Sequence, residues 1–439
     1  MTVALELAAF ASGLRFEHLP PDVVGLARAC VIDTVGSAFY GLEAPASRIA
    51  LAYAGTGGAG RSRAFGGGPA LRAEAAAFAN GVAAHALELD SLRKPGAGVH
   101  PGAVLVPAAL AMVQEVGASG RDLLTAIVAG CEVMIRIGRA TKHSAEARGF
   151  HAPGITGPFG AAIAAGLLLG LDQTALTRSL GIAGSLSAGL LAFAASGDGG
   201  MVKRMHLGRA AENGIVAARL ASLGFTGPAS VLEGVFGVLD AFCPERDDAQ
   251  LTAGLGEVWE TRTVCFKRYP CHITAHTPVY AIECWRDELG PVDRVEIAGT
   301  AKMAAMHAAT KPADLVMAQY SIPFCVAVAL LRDPREPRSF TEGALEDEAI
   351  RELARRVQVT DGGHKGWATT THLRLRDGRV LERTVDTFPG APDCPDDPDI
   401  AGKYRRLTRG LGSRAEPLLA RMAALEHEDN LDWLEGTPS

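Results

Sequence analysis

The sequence predicts a multidomain α and α+β protein, with a large all-α helical domain over residues 1–255, completed by residues 396–439, and a smaller α+β domain over residues 256–395. Three observations predict it. Apolar residues recur at helical spacing through position 223, strand-like alternation begins after Glu257, and helical patterning returns in the C-terminal segment. With 439 residues, the chain exceeds the roughly 250–300 residues at which single cores stop growing.

The first clear helix spans about 20–42 and opens on Pro20-Pro21-Asp22, a favourable helix entry. Further helices are expected at about 45–54, 71–88, 102–116, 119–139, 157–169, 172–193 and 205–223, separated by Gly-rich or Pro-containing breaks. Abundant Ala and Gly allow these axes to approach closely. Strands are expected at 258–264, 292–298 and 357–361, and a hairpin at 371–385 around Asp377-Gly378. Helices at about 273–286 and 313–331 would cover one face of that sheet. The Pro- and Asp-rich stretch 389–398 reads as a linker.

Composition excludes several function classes. A formal charge of −6 with scattered Lys and Arg offers no basic stripe for nucleic acid. Gly, Pro or charge interrupts every apolar run before about 18 residues, so no membrane span is expected. Eight cysteines without a CxxC pair fit reduced thiols in the cytoplasm. Gly55-Thr-Gly57-Gly-Ala-Gly60 satisfies GxGxxG but lacks the strand before it that a dinucleotide site needs. His272 and His276 have zinc-ligand spacing, yet Ile273 stands where a zincin has Glu, so no metal is expected.

Ionisable residues gather in four segments: His85 to His100, Gly149-Phe-His151, Val202-Lys203-Arg204-Met-His206, and Phe266-Lys267-Arg268-Tyr269-Pro270-Cys-His272. Burying such groups is costly unless they are paired or functional. Histidines exchange protons near neutral pH, and lysines and arginines hold carboxylates, so the pattern points to proton transfer on an anionic substrate. Glu88 and Asp90 lie two apart, so on a helix they diverge and one faces the site. His206 and His276 read as structural.

At these segments the sequence resembles the MmgE/PrpD family, which includes 2-methylcitrate dehydratase, cis-aconitate decarboxylase and iminodisuccinate epimerase. The likeness rests on the Ala-His-Ala-Leu-Glu-Leu-Asp run ending at Asp90, on His100-Pro-Gly, on Gly149-Phe-His151, on Met201 to Ala211, and on Lys267-Arg-Tyr-Pro-Cys-His272. It implies a homodimer with an active site between domains, no metal or organic cofactor, and a small carboxylic acid as substrate. By motif position the implied catalytic residues are Asp90, His100, His151, Lys203 and His272, with Arg93, Lys267, Arg268 and Tyr269 as substrate-binding candidates and Glu88 as a structural acid. Ser91 and Leu92 depart from the pattern of the decarboxylases, whereas His272 matches it and differs from the epimerase. The implied activity is a lyase, by dehydration or decarboxylation. Epimerisation of a dicarboxylate, or carboxylate binding without turnover, stands as the alternative.

Overall fold

The computed structural model describes residues 2–96, 98–195 and 200–434. Long helices build the N-terminal part, and the Ala152–Leu168 helix runs through its centre, packed on Pro101–Val116, Gly120–Ala140, Gln173–Ser185 and Val202–Ser222. Small residues set that spacing. A Cβ placed on Gly214 would fall 2.3 Å from the Cβ of Ala161, and one on Gly81 would fall 2.8 Å from the Cα of Gly208. The ridges of neighbouring helices therefore meet backbone to backbone, which a larger side chain at either glycine would forbid.

The C-terminal part is mixed. Its four-stranded sheet has the order Val357–Asp361, Val292–Gly299, Thr369–Leu375, Val380–Val385; the first pair is parallel and the other two are antiparallel. Gly378, at φ +93°, turns the hairpin. One face of the sheet, carrying Val295, Ile297, Leu373 and Leu375, packs in one core with Val279, Ile282, Ile322 and Val326 from the covering helices. The expected 313–331 helix is two, Leu315–Tyr320 and Ile322–Leu331, because the Ser321 hydroxyl caps the second by accepting from the Phe324 N–H.

Four local expectations are corrected. Residues 258–264 do not form a strand: the Glu132 carboxylate accepts from the Glu260 and Thr261 N–H groups at 3.0 and 2.8 Å, and draws this segment into a 3₁₀ turn over Glu260–Thr263. Only Val264–Cys265 remains extended, paired with Leu92–Arg93. The first 255 residues are consequently not wholly helical, since Leu92–Arg93 and Ala59–Ser62 are short strands. Segment 389–398 is anchored: the Phe266 N–H donates to the Gly390 carbonyl and Asp393 pairs with Lys94. Pro21–Gly41 is long and apolar enough to cross a membrane by length and composition, contrary to the expectation that no run qualifies, and most of it is buried against the other helices.

That helix also carries a buried charge. Asp33 accepts at 2.6 Å from Lys403, which the helix Ile400–Leu407 brings back to the helical core. The same ammonium donates to the carbonyls of Leu89 and Lys267. One side chain thus fastens three segments that lie 370, 314 and 136 residues before it in the chain. Burial raises the proton affinity of Asp33, and Lys403 opposes that rise. Lys403→Met should leave a buried carboxylate without its partner and cost about 3 kcal/mol or more in urea denaturation; a loss under about 1 kcal/mol would remove this pair from the account of the fold.

Candidate active site

Three helices begin at one place. His100 and His151 are the N-cap residues of Pro101–Val116 and Ala152–Leu168, and Lys203 and Arg204 occupy the first turn of Val202–Ser222. Neither histidine side chain accepts a cap hydrogen bond, so both imidazoles are available to other partners. The converging N-termini make the surroundings electropositive. They border a cleft of roughly 800 Å³, closed from the other side by Lys267, His272, Lys302, His307 and Tyr320.

The cleft is organised around Glu88. Its helix ends at Ala84, so residues 85–90 turn freely and Glu88 adopts a left-handed φ of 57°. A non-glycine residue held there is strained and persists only where its surroundings enforce it. Here three cations do so. Lys203 and Arg204 both donate to Glu88 Oε1, and Lys267 donates to Oε2 at 2.8 Å. Arg204 also donates to the His85 carbonyl at 3.1 Å and to Gln319 Oε1 at 2.8 Å, while the Gln319 amide donates to the carbonyls of Leu87 and Pro270. Burial, followed by Arg204 and Lys267, lowers the proton affinity of the Lys203 ammonium, and burial brings Arg204 down to about 10.

Behind Glu88 lies Asp90, fully buried, with one oxygen 2.8 Å from His85 Nδ1 and the other 2.6 Å from His100 Nδ1. Burial works against its ionisation, but His85, His100 and Lys267 outweigh it and hold the carboxyl well below the usual range. With Nδ1 engaged, His100 presents Nε2 as its remaining ring nitrogen. His85, Asp90 and His100 are the one group among the described residues with metal-ligand atoms gathered within 4.8 Å. Their N···O separations are those of direct hydrogen bonds, which join the three side chains into one hydrogen-bonded chain.

Two further imidazoles complete the walls. His151 Nδ1 lies 2.9 Å from His206 Nδ1, so one ring donates and the other accepts. His272 stacks on Tyr320 and His307 at 4.5 and 4.8 Å, and Lys203 sits 4.8 Å over the Tyr320 ring. Burial, reinforced by neighbouring imidazoles, drives His151 and His272 well below the ordinary histidine range, so both are neutral bases near pH 7.

Comparison with known proteins identifies this architecture. The model of the MmgE/PrpD N-terminal domain matches residues 5–250, and that of the MmgE/PrpD C-terminal domain matches residues 269–426. The chain belongs to the MmgE/PrpD family. It is 28% identical over 439 residues to the cis-aconitate decarboxylase of Aspergillus terreus, covering 92% of this chain and 89% of that one. It is 29% identical to the human cis-aconitate decarboxylase over 90% of this chain and 85% of the relative, and 27% identical to the cis-aconitate decarboxylase-like protein oryM of Aspergillus oryzae over 92% and 90%.

The structure brings His100, His151, Lys203, Lys267 and His272 of this MmgE/PrpD chain onto one cleft and sets Asp90 directly behind His100. It does not bring Arg93, Arg268 or Tyr269 there. Arg93 donates to the Pro95 carbonyl and lines a separate hollow with Arg139 and His143, because Leu92–Arg93 is held as a strand against Val264–Cys265. Arg268 and Tyr269 both donate to Glu283. Glu88 is corrected from a structural acid to a cleft-lining one, and it and Asp90 do not diverge, because the helix ends before them. His206 joins the site through His151, whereas His276 stays apart, packed with Tyr269 and Phe388. Ser91 supports the fold beside the site, since its hydroxyl accepts from the Gly102 N–H at 3.1 Å and caps the helix that follows His100. Sequence reading also missed Gln319, His307 and Tyr320, which no motif marks. His206 carried a signal, lying one helical turn after Lys203.

The depressed histidines make stability depend on pH. In the folded state His151 and His272 bind protons less readily than in the unfolded chain, whose histidines titrate near 6.5, so stability is full above that pH and falls below it. At pH 5.5 each should cost roughly 1.4 kcal/mol relative to pH 7.5. Urea midpoints at the two pH values measure this, and His151→Leu should reduce the difference. Equal midpoints for the parent chain would refute neutral burial.

Proposed function

We propose that this chain is a lyase acting on a small di- or tricarboxylic acid by proton transfer, with loss of a carboxylate as its reaction. The observation that carries this reading is the Asp90–His100 pair facing a cleft floored by three buried cations. Lys203, Arg204 and Lys267 stand against the carboxylates of Glu88 and Asp90, so basic side chains outnumber acidic ones at the floor of the cleft. An anionic substrate suits that excess of basic groups. The names of the relatives, cis-aconitate decarboxylases from a fungus and from human, support an unsaturated tricarboxylate as the class to test first.

In such a reaction the bond between the substrate's skeleton and one carboxylate breaks, the electron pair remains on carbon, and carbon dioxide departs. Lys203 and Lys267 offset the charge that develops in the water-poor cleft. His100, bonded to Asp90 through Nδ1, delivers a proton from Nε2 to that carbon and regains one from solvent. Dehydration is the second reading, favoured by His151 standing on the same cleft as a separate neutral imidazole. One histidine then removes a proton from carbon while another protonates the departing hydroxyl.

Proton NMR of the purified chain with cis-aconitate, citrate, methylcitrate and iminodisuccinate-type acids in deuterated water separates these outcomes. Decarboxylation of an unsaturated acid with deuterium at the product carbon is expected; loss of water identifies the second reading, and exchange alone identifies epimerisation. On the substrate so found, His100→Gln and Asp90→Asn should each lower kcat by about 10²–10⁴ with the fold intact by circular dichroism. Undiminished turnover in both variants would overturn the assignment.

A further inference from the structure

The cations at the floor of the cleft are all engaged: Lys203, Arg204 and Lys267 hold Glu88. A different cation lines the same cleft at its rim. Lys302 lies in the first turn of the short helix Ala301–Met306, which follows the strand Val292–Gly299, and it is exposed. Among the described residues no carboxylate pairs with it. Its charge bears on both His272 and His307, the stacked imidazoles that form the cleft wall, so the ammonium stands on the cleft side of its helix. Met306, also exposed, lines the rim beside it.

The same cleft also carries an acid away from its floor. Glu146 lines the cleft, one of its oxygens is 3.4 Å from His143 Nδ1, and the other is buried without a hydrogen-bond partner. A carboxylate at the rim is therefore repelled from the Glu146 side and drawn to Lys302. With the basic side chains of the floor facing the inner part of the substrate, a further carboxylate at its outer end needs another cation, and Lys302 is placed to provide it.

Building on the lyase reading above, we infer that Lys302 is a specificity-determining residue that receives the outermost carboxylate of the substrate and makes the cleft select tricarboxylates over dicarboxylates. Its role is in binding: it does not touch the reacting carbon, and the floor and its histidines act on the inner part of the molecule. Being an exposed side chain on a surface helix, it can be changed without disturbing the core.

The test uses the full chain and two non-reacting probes, tricarballylate and glutarate, titrated by calorimetry into the parent, Lys302→Met and Lys302→Arg. Lys302→Met should weaken tricarballylate about 10-fold, equivalent to about 1.4 kcal/mol, leave glutarate within about 2-fold, and Lys302→Arg should restore most of the loss. On a reacting tricarboxylate, Lys302→Met should raise KM by a similar factor with kcat within about 3-fold, the signature of lost uniform binding. An equal effect on both probes, or none on either, overturns the inference. Should the parent turn over no acid in the panel, the lyase reading fails, while the ratio of the two probe affinities still decides the role of Lys302.

Discussion

The cleft depends on one carboxylate being surrounded by more positive charge than it can balance. Glu88 gathers Lys203 and Arg204 from the start of one helix and Lys267 from a loop in the other half of the molecule. Each ammonium or guanidinium would be prohibitively costly to bury alone, and so would the carboxylate. Together they are tolerable, and their residual charge is directed at the cavity. The strained backbone at Glu88 follows from the same requirement, because only a reversal of the chain directly after the Ala73–Ala84 helix delivers the carboxylate to all three partners.

Much of the fold was legible because period decides it. Most helices fell close to where apolar spacing placed them, although Ala152–Leu168 begins before the expected 157 and Gln173–Ser185 ends well short of the expected 193, and the hairpin around Asp377-Gly378 was set by turn chemistry. The failures have specific causes. Val258 to Val264 alternates as a strand should, but a distant carboxylate, Glu132, captures its N–H groups, and no local pattern reveals that. Ser321 divides an unbroken apolar run because its hydroxyl caps a new helix.

The site was legible in its parts and not in its wiring. His100, His151 and His272 stand out in sequence because each precedes a helical segment, and the structure places all three on one cleft. Asp90 meets His100 as expected, whereas the place of Glu88 was misread, since the inference that the two acids diverge assumed a helix and that helix stops at Ala84. Arg268 and Tyr269 share a motif with Lys267 and His272 yet face Glu283. Adjacent residues in a loop point to different sides of the chain, so a motif marks a place without saying which of its members work there.

Lys403 gives the molecule an order of completion. It lies far along the chain from Asp33 and Leu89, and it bonds to both and to the Lys267 carbonyl. During synthesis, the helical bundle and the sheet can collapse as their residues emerge from the ribosome. The loop bearing Glu88 and the loop bearing Lys267 already meet through the Lys267–Glu88 ion pair, but the Lys403 bridge between them forms only after residue 403 has left the exit tunnel. A nascent chain therefore carries the side chains of the cleft well before the Lys403 bridge behind them can form.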